Sequence, residues 1–142
     1  MPAENQAPVV GDIPNQTITS GQTFNDINLD TFVIDLDNSD SEIRWSISGN
    51  VRLIIDIVEI NANRIARVSY PSGFIGSETL TFTAKDPSGA ADNNSAIFTV
   101  NAQVIPTPEN SNPVLTVKRA GIAVSKVIIN EGESLTLNLE AV

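Results

Sequence analysis

The sequence predicts an all-β domain, a two-layer sandwich of about seven short strands, and two observations lead to this prediction. Apolar and polar side chains alternate along the chain, as in "ETLTFTA" (78–84) and "AIFTVNA" (96–102). No stretch of ten or more residues has the 3.6-residue period of an amphipathic helix. Short alternating runs separated by turn residues are typical of a sandwich.

The alternation also predicts which side chains form the core. In "IRWSI" (43–47), the isoleucines and Trp45 share one face, and in "LIIDI" (53–57) the first, third and fifth residues do the same. In the later strands, the inward side chains are expected to be Leu80, Phe82, Ala84, Ala96, Phe98, Val100 and Ala102. We expect Trp45 to anchor the core by packing between the sheets against Phe82 and Phe98.

Turn-forming residues separate the predicted strands. Gly, Pro and Asn occur where the chain has to reverse, in "SGN" (48–50), "NAN" (61–63), "PSG" (71–73) and "DPSG" (86–89). "DPSG" has proline at the second position and glycine at the fourth, which predicts a type I turn.

Composition excludes several classes of function. The chain has no histidine and no cysteine. Catalytic triads, thiolate or imidazole metal sites and disulfides are therefore excluded, and only oxygen ligands remain, which suit calcium or magnesium. The net charge of −9 argues against nucleic acid as a partner. No apolar stretch reaches the roughly 18 residues that would predict membrane insertion, and "MPAENQAPVV" is not a signal peptide.

Charge and proline content predict the domain organisation. Residues 1–109 carry 14 acidic and 5 basic side chains, whereas residues 110–142 carry 3 of each. Between these parts, "IPTPENSNP" (105–113) contains three prolines and reads as a linker. We therefore predict a β-sandwich at 1–104, a linker at 105–113, and a further segment at 114–142.

The two ends of the chain resemble each other, which predicts a tandem repeat. "APVV…ITSGQTFNDINLD" (7–30) parallels "NPVL…INEGESLTLNLEA" (112–141), matching Pro8 to Pro113, Gly21 to Gly132 and Phe24 to Leu135. We expect residues 114–142 to be the first strands of a second, truncated repeat, since repeats of this length indicate an array of autonomous domains.

Three segments together resemble the bacterial cadherin-like and Ig-like repeats of extracellular surface proteins: "NQAPVV" (5–10), "FVIDLDNSDSEIRWSISGN" (32–50) and "GSETLTFTAKDPSGAADNNSAIFTV" (76–100). The resemblance implies a seven-strand Greek-key sandwich, used in adhesin stalks and in accessory modules of secreted polysaccharide-degrading enzymes. Cadherins bind calcium between domains through acidic motifs. This chain keeps "DLD" (35–37) and "AKD" (84–86), and lacks the full cadherin linker motif.

The acidic segment "DLDNSD" (35–40) allows three interpretations. Its aspartates, with one from a later loop, could bind calcium, and the candidate ligands are Asp35, Asp37, Asp40 and Asp86. It could instead be a solvated turn whose side chains bond their own backbone. A catalytic carboxylate pair is the third interpretation, and a sandwich of this size offers no evident cleft for it.

The expected function is that of a non-enzymatic extracellular repeat, a spacer or adhesive stalk in a bacterial surface or secreted protein. Its expected partners are neighbouring repeats of the same chain and a protein or glycan surface ligand. Two alternatives stay open: a carbohydrate-binding accessory module, and a module for calcium-dependent self-association. Trp45 and Tyr70 are the natural sugar platforms, although the alternation places Trp45 on the inward face.

Overall fold

The structure, a computed structural model, describes residues 3–107, 114–119 and 122–128. It divides into two compact units, Met1–Val104 and Ile105–Val142. The strands of the first unit, in chain order, are β1 (Val9–Val10), β2 (Gln16–Thr19), β3 (Ile27–Asn28), β4 (Val33–Ile34), β5 (Arg44–Ser48), β6 (Ile54–Ile60), β7 (Asn63–Ser69), β8 (Gly76–Lys85) and β9 (Ala91–Asn101). Two 3₁₀ turns, Leu29–Phe32 and Asp40–Glu42, interrupt them.

The strands form two main sheets, so the predicted all-β, Ig-like and cadherin-like sandwich is confirmed. The larger sheet has the order β2-β9-β8-β5 and the smaller one β3-β7-β6, while β1 and β4 make a short separate pair. The chain crosses between the sheets from β5 to β6 and returns from β7 to β8. Within the larger sheet β2 lies parallel to β9, whereas the other pairs are antiparallel.

The core lies on the inward face of β8 and β9. The predicted inward set is confirmed for Leu80, Phe82, Ala84, Ala96, Phe98 and Val100, which are all buried. It is wrong for Ala102, which follows the end of β9 and is exposed. The ring of Phe98 packs edge-on against Phe24 at 5.2 Å and lies 6.2 Å from the ring of Phe82, centroid to centroid. Burial of each such ring stabilises the fold by about 1.5–3 kcal/mol.

The position predicted for Trp45 is wrong in one respect. Its side chain faces inward as expected, but it is only half-buried and packs against the core from the margin. The reason is topological. Strands β5 and β6 are the edge strands of their sheets, so the sandwich is open between them. The centre of the aromatic core is formed by phenylalanines instead.

Tight turns close the hairpins where the sequence predicted reversals. In "NAN", a two-residue loop joins β6 to β7, and both central residues, Asn61 and Ala62, have positive φ, at 49° and 64°. Such a loop matches the right-handed twist of the two strands. In "DPSG", the Gly89 amide donates to the Asp86 carbonyl at 3.2 Å.

The second unit contains an antiparallel hairpin of β10 (Val114–Arg119) and β11 (Ile122–Ile128). In the first unit, by contrast, β1 and β2 pair with β4 and β9 rather than with each other. The matches that suggested a second repeat involve Pro113, Gly132 and Leu135, which lie outside the described residues. The truncated repeat therefore stays a prediction.

Candidate functional site

The acidic segment 35–40 forms a turn that bonds its own backbone. Asp35 Oδ1 accepts hydrogen bonds from the amides of Asp37 and Asn38, at 3.0 and 2.9 Å. One carboxylate oxygen thus satisfies two backbone amides that follow the end of β4, where strand pairing stops. Asp and Asn side chains favour turns for this reason.

The 3₁₀ turn Asp40–Glu42 follows directly, and hydrogen bonds connect it to strand β7 of the smaller sheet. Glu42 Oε2 accepts from the Ser39 amide and from its hydroxyl, each at 2.9 Å. These two donors hold the pKa of Glu42 below its usual range. The Arg64 guanidinium, at the start of β7, donates to the carbonyls of Asp40 and Ser41. Arg64 therefore fixes the end of the acidic segment.

Asp86 is buried, with 3% of its surface exposed, and its carboxylate is surrounded by hydrogen-bond donors. Oδ1 accepts from the Ser88 hydroxyl and from the amides of Gly89 and Ala90, at 2.7, 2.8 and 2.9 Å. Oδ2 accepts from Asn5 Nδ2 at 2.8 Å. Burial by itself would raise the pKa of Asp86, but these hydrogen bonds outweigh it and lower the pKa.

The structure brings Asp37 and Asp86 to the same end of the sandwich through the N-terminal segment. The backbone N–H of Gln6 donates to Asp37 Oδ1 at 3.1 Å, and the side chain of its neighbour Asn5 donates to Asp86 Oδ2. Asp35 and Asp40 occupy the start and the end of the acidic turn. Within the part of the chain that the structure describes, no three acidic side chains form a group placed to hold a metal ion. Calcium binding by these four aspartates stays a prediction.

A row of polar side chains on β9 fastens the N-terminal segment, and the sequence reasoning did not identify it. Asp92 Oδ2 accepts from the Val10 amide at 2.8 Å, and Asn94 Oδ1 accepts from the Ile13 amide at 3.1 Å. Asn15 Oδ1 in turn accepts from the Ile97 amide at 2.7 Å. A signal was present in the sequence. Asp92 and Asn94 occupy the inward register of β9, where a polar group needs a partner.

An open recess of about 1100 Å³ lies at this end of the sandwich, beside the edge strands β5 and β6. We call it the Trp45 recess. Its lining includes Trp45, Ile43 and Ile57, and the charged residues Glu42, Arg44, Arg64, Lys85 and Asp86. Trp45 Nε1 is buried and has no hydrogen-bond partner among the described residues.

Tyr70, the second candidate sugar platform, has a structural role. Its hydroxyl donates to the Gln22 carbonyl at 2.7 Å and accepts from the Gly21 amide at 2.9 Å. Its ring lies edge-on to Phe24, at 6.1 Å between centroids. The side chain therefore ties the end of β7 to the turn after β2, and its half-buried ring is held against the core.

The fold is a cadherin-like β-sandwich, and comparison with solved structures agrees. The chain is similar to the endo-fucoidan hydrolase MfFcnA4 from glycoside hydrolase family 107, with a TM-score of 0.53, 20% identity, and coverage of 69% of this chain and 14% of that one. It is also similar to protocadherin gamma C5 EC1-3, with a TM-score of 0.50, 13% identity, and coverage of 76% and 36%. Both likenesses concern the fold.

The chain spans a minor part of each of these two proteins. No protein-family model matches the sequence, and a search of curated proteins finds no match. No helix within the described residues has the length and apolar character needed to cross a membrane.

Proposed function

We propose that the first unit is a non-enzymatic structural repeat, a spacer, in an extracellular multidomain protein. The observation that supports this proposal is the position of the two chain ends. A spacer has to receive the chain at one end and release it at the other, so that successive domains extend a stalk rather than fold back on one another.

The N-terminal end of the unit lies at the β8–β9 turn, where Asn5 donates to Asp86. Strand β9 begins just after this turn and runs for 11 residues to Asn101. At a rise of about 3.3 Å per residue, the strand ends roughly 35 Å away. There the Ser20 amide, which follows β2, donates to the Asn101 carbonyl. The chain therefore enters and leaves the unit at opposite ends.

The pairing of β2 with β9 suits a load-bearing role. The two strands are parallel over four residue pairs, from Gln16↔Phe98 to Thr19↔Asn101. A force that pulls the two chain ends apart draws β2 and β9 in opposite directions along their own length. All the hydrogen bonds of the ladder then resist together in shear, whereas in a peeled hairpin they break one at a time.

Scattering from linked copies tests the spacer proposal. Proteins with one, two and three copies of the 142-residue chain in tandem should show a maximum dimension that rises by a constant increment, at least about 35 Å per copy. Small-angle X-ray scattering measures this dimension. Increments that shrink with each copy, as for a compact globule, would contradict the proposal.

Calcium-dependent self-association is a second candidate, supported by the shared position of Asp37 and Asp86. An ion bound only by the folded state would stabilise it, by about 2.7 kcal/mol at a hundred times its dissociation constant. Millimolar calcium should then raise the melting temperature by several degrees. It should also cause the protein to form oligomers, and a chelator should dissociate them. Magnesium should raise the melting temperature less, since it requires near-ideal octahedral coordination. Equal shifts with calcium, magnesium and sodium at matched ionic strength would exclude the site.

A further inference from the structure

We propose that the Trp45 recess binds an anionic polysaccharide. This inference stands apart from the spacer proposal, which requires no ligand. It is based on three observations: the placement of the basic residues, an unfavourable like-charge pair on neighbouring strands, and the combination of indole and cations in an open recess.

The basic residues of the first unit are concentrated at the recess. Residues 3–107 contain five of them, and three, Arg44, Arg64 and Lys85, line the recess. The chain as a whole carries a net charge of −9. The recess lining has three cations and the two carboxylates of Glu42 and Asp86, and Arg64 is also paired with Asp30. The positive charge that an approaching anion would meet at the recess therefore comes from Arg44 and Lys85.

Two of the three cations that line the recess, Arg44 and Lys85, have no carboxylate partner among the described residues. Arg64 lies 3.6 Å from Asp30 Oδ2, and Arg67 pairs with Asp26 on another surface. Arg44 and Lys85 are exposed, and neither forms an ion pair with a carboxylate among the described residues. They are direct neighbours across β5 and β8, in the register Arg44↔Lys85, and the alternation of these strands directs them to the face of the sheet opposite to Trp45, at the rim of the recess. Like charges at such opposite positions destabilise a sheet, and a bound anion would offset that cost.

The carboxylates on the recess are held by local donors. Glu42 is bonded by Ser39, and Asp86 by four donors from its own loop and from Asn5. Neither forms an ion pair with Arg44 or Lys85 in the described part of the chain. The two exposed cations therefore keep their charge available for a ligand.

The shape and apolar lining favour a sugar polymer. A volume of about 1100 Å³ slightly exceeds the usual range for small-molecule pockets, about 300–1,000 Å³, and the recess is open rather than enclosed. Trp45 and Ile57, both half-buried, provide an apolar surface for the C–H face of a sugar ring. A guanidinium binds the planar oxygens of a carboxylate or sulfate in a bidentate manner, and a lysine adds a point charge. Sulfate or uronate groups supply such anions along an extended chain.

Binding of dextran sulfate to the full 142-residue chain tests the inference, with uncharged dextran as the matched probe. The chain contains a single tryptophan, so intrinsic fluorescence reports on the recess itself. We expect Trp45 fluorescence to change with dextran sulfate and not with dextran. A response of the same size to dextran would overturn the anionic class, and no binding of dextran sulfate would overturn the proposal altogether.

Matched charge variants separate a local site from diffuse attraction. The double variant Arg44→Gln/Lys85→Gln removes two charges from the recess, and Arg52→Gln/Arg67→Gln removes two charges elsewhere. We expect binding at least tenfold weaker for the first variant and changed less than twofold for the second, with thermal melts showing that both are folded. Equal losses would indicate diffuse electrostatics and refute the site. Poly-glutamate binding as tightly as dextran sulfate would assign the recess to an acidic protein instead.

Discussion

Gly49, in the "SGN" turn after β5, is the position at which a single methyl group should damage the fold most specifically. Its φ is +92°, and a Cβ built there would lie 2.3 Å from the Thr79 carbonyl oxygen. Thr79 belongs to β8, an inner strand held by β9 through the pair Thr79↔Ile97. The carbonyl therefore cannot move away without disturbing the ladder. We predict that Gly49→Ala destabilises the first unit strongly.

Gly21 is the matched control for this substitution. Its φ is +95°, almost the same, but an added Cβ would meet nothing within 4 Å. Both changes carry the left-handed backbone cost of about 1–2 kcal/mol, partly offset by about 0.4–1 kcal/mol from the stiffer unfolded chain. Only Gly49→Ala adds the overlap, for which overpacking costs of about 1–3 kcal/mol are typical. We expect losses of about 2–4 kcal/mol for Gly49→Ala and about 1 kcal/mol for Gly21→Ala.

Urea and thermal unfolding of both variants measure the difference. One kcal/mol moves the melting temperature of a domain of this size by about 4–8 °C, so Gly49→Ala should melt at least about 8 °C below the parent protein. Equal, small shifts for the two variants would refute the reasoning, because they would show that the Thr79 carbonyl does not approach Gly49 closely.

Three further predictions follow from the turns, the buried carboxylate and the core. Ala62→Gly should stabilise the first unit by about 0.5–1 kcal/mol in urea unfolding, since φ at Ala62 is 64°; an unchanged midpoint would contradict the turn geometry. Asp86, with its lowered pKa, contributes stability that is present above its unfolded pKa of about 3.9 and lost as pH falls through the folded value. Asp86→Asn should therefore flatten the loss of stability below about pH 4, and an unaltered pH profile would exclude this role. Phe98→Ala should cost about 3–5 kcal/mol and Trp45→Ala less, because Trp45 is half-buried; the reverse order in melting temperature would place Trp45 at the centre of the core.

The strands, their inward faces and the turns were predictable from the sequence because they depend on local chemistry. A period of two forces alternate side chains of β8 and β9 to opposite faces, whatever the strands pair with. In the same way, "DPSG" closes a turn with its own backbone, from Asp86 to Gly89. For such features, the residues that decide the conformation lie within a few positions of one another.

The position of Trp45 and the partners of the acidic residues depended on contacts between distant parts of the chain. Alternation correctly placed Trp45 inward, but only the strand order shows that β5 is an edge strand and that the indole lines an open recess. Composition alone left "DLDNSD" open between a metal site and a turn. Arg64 and Gln6 hold this segment and the turn after it through hydrogen bonds to Ser41 and Asp37, which are 23 and 31 residues away from them in the sequence.

The sequence by itself determined the fold class, because the alternation and the turn residues act over short distances and agree along the whole first unit. The tertiary structure decided which polar groups meet. It brought Asp92 and Asn94 of β9 against backbone amides of the N-terminal segment, about 80 residues earlier in the chain. It also placed Arg44 beside Lys85. Strand register sets these pairings, and it results from the packing of both sheets together rather than from any one segment.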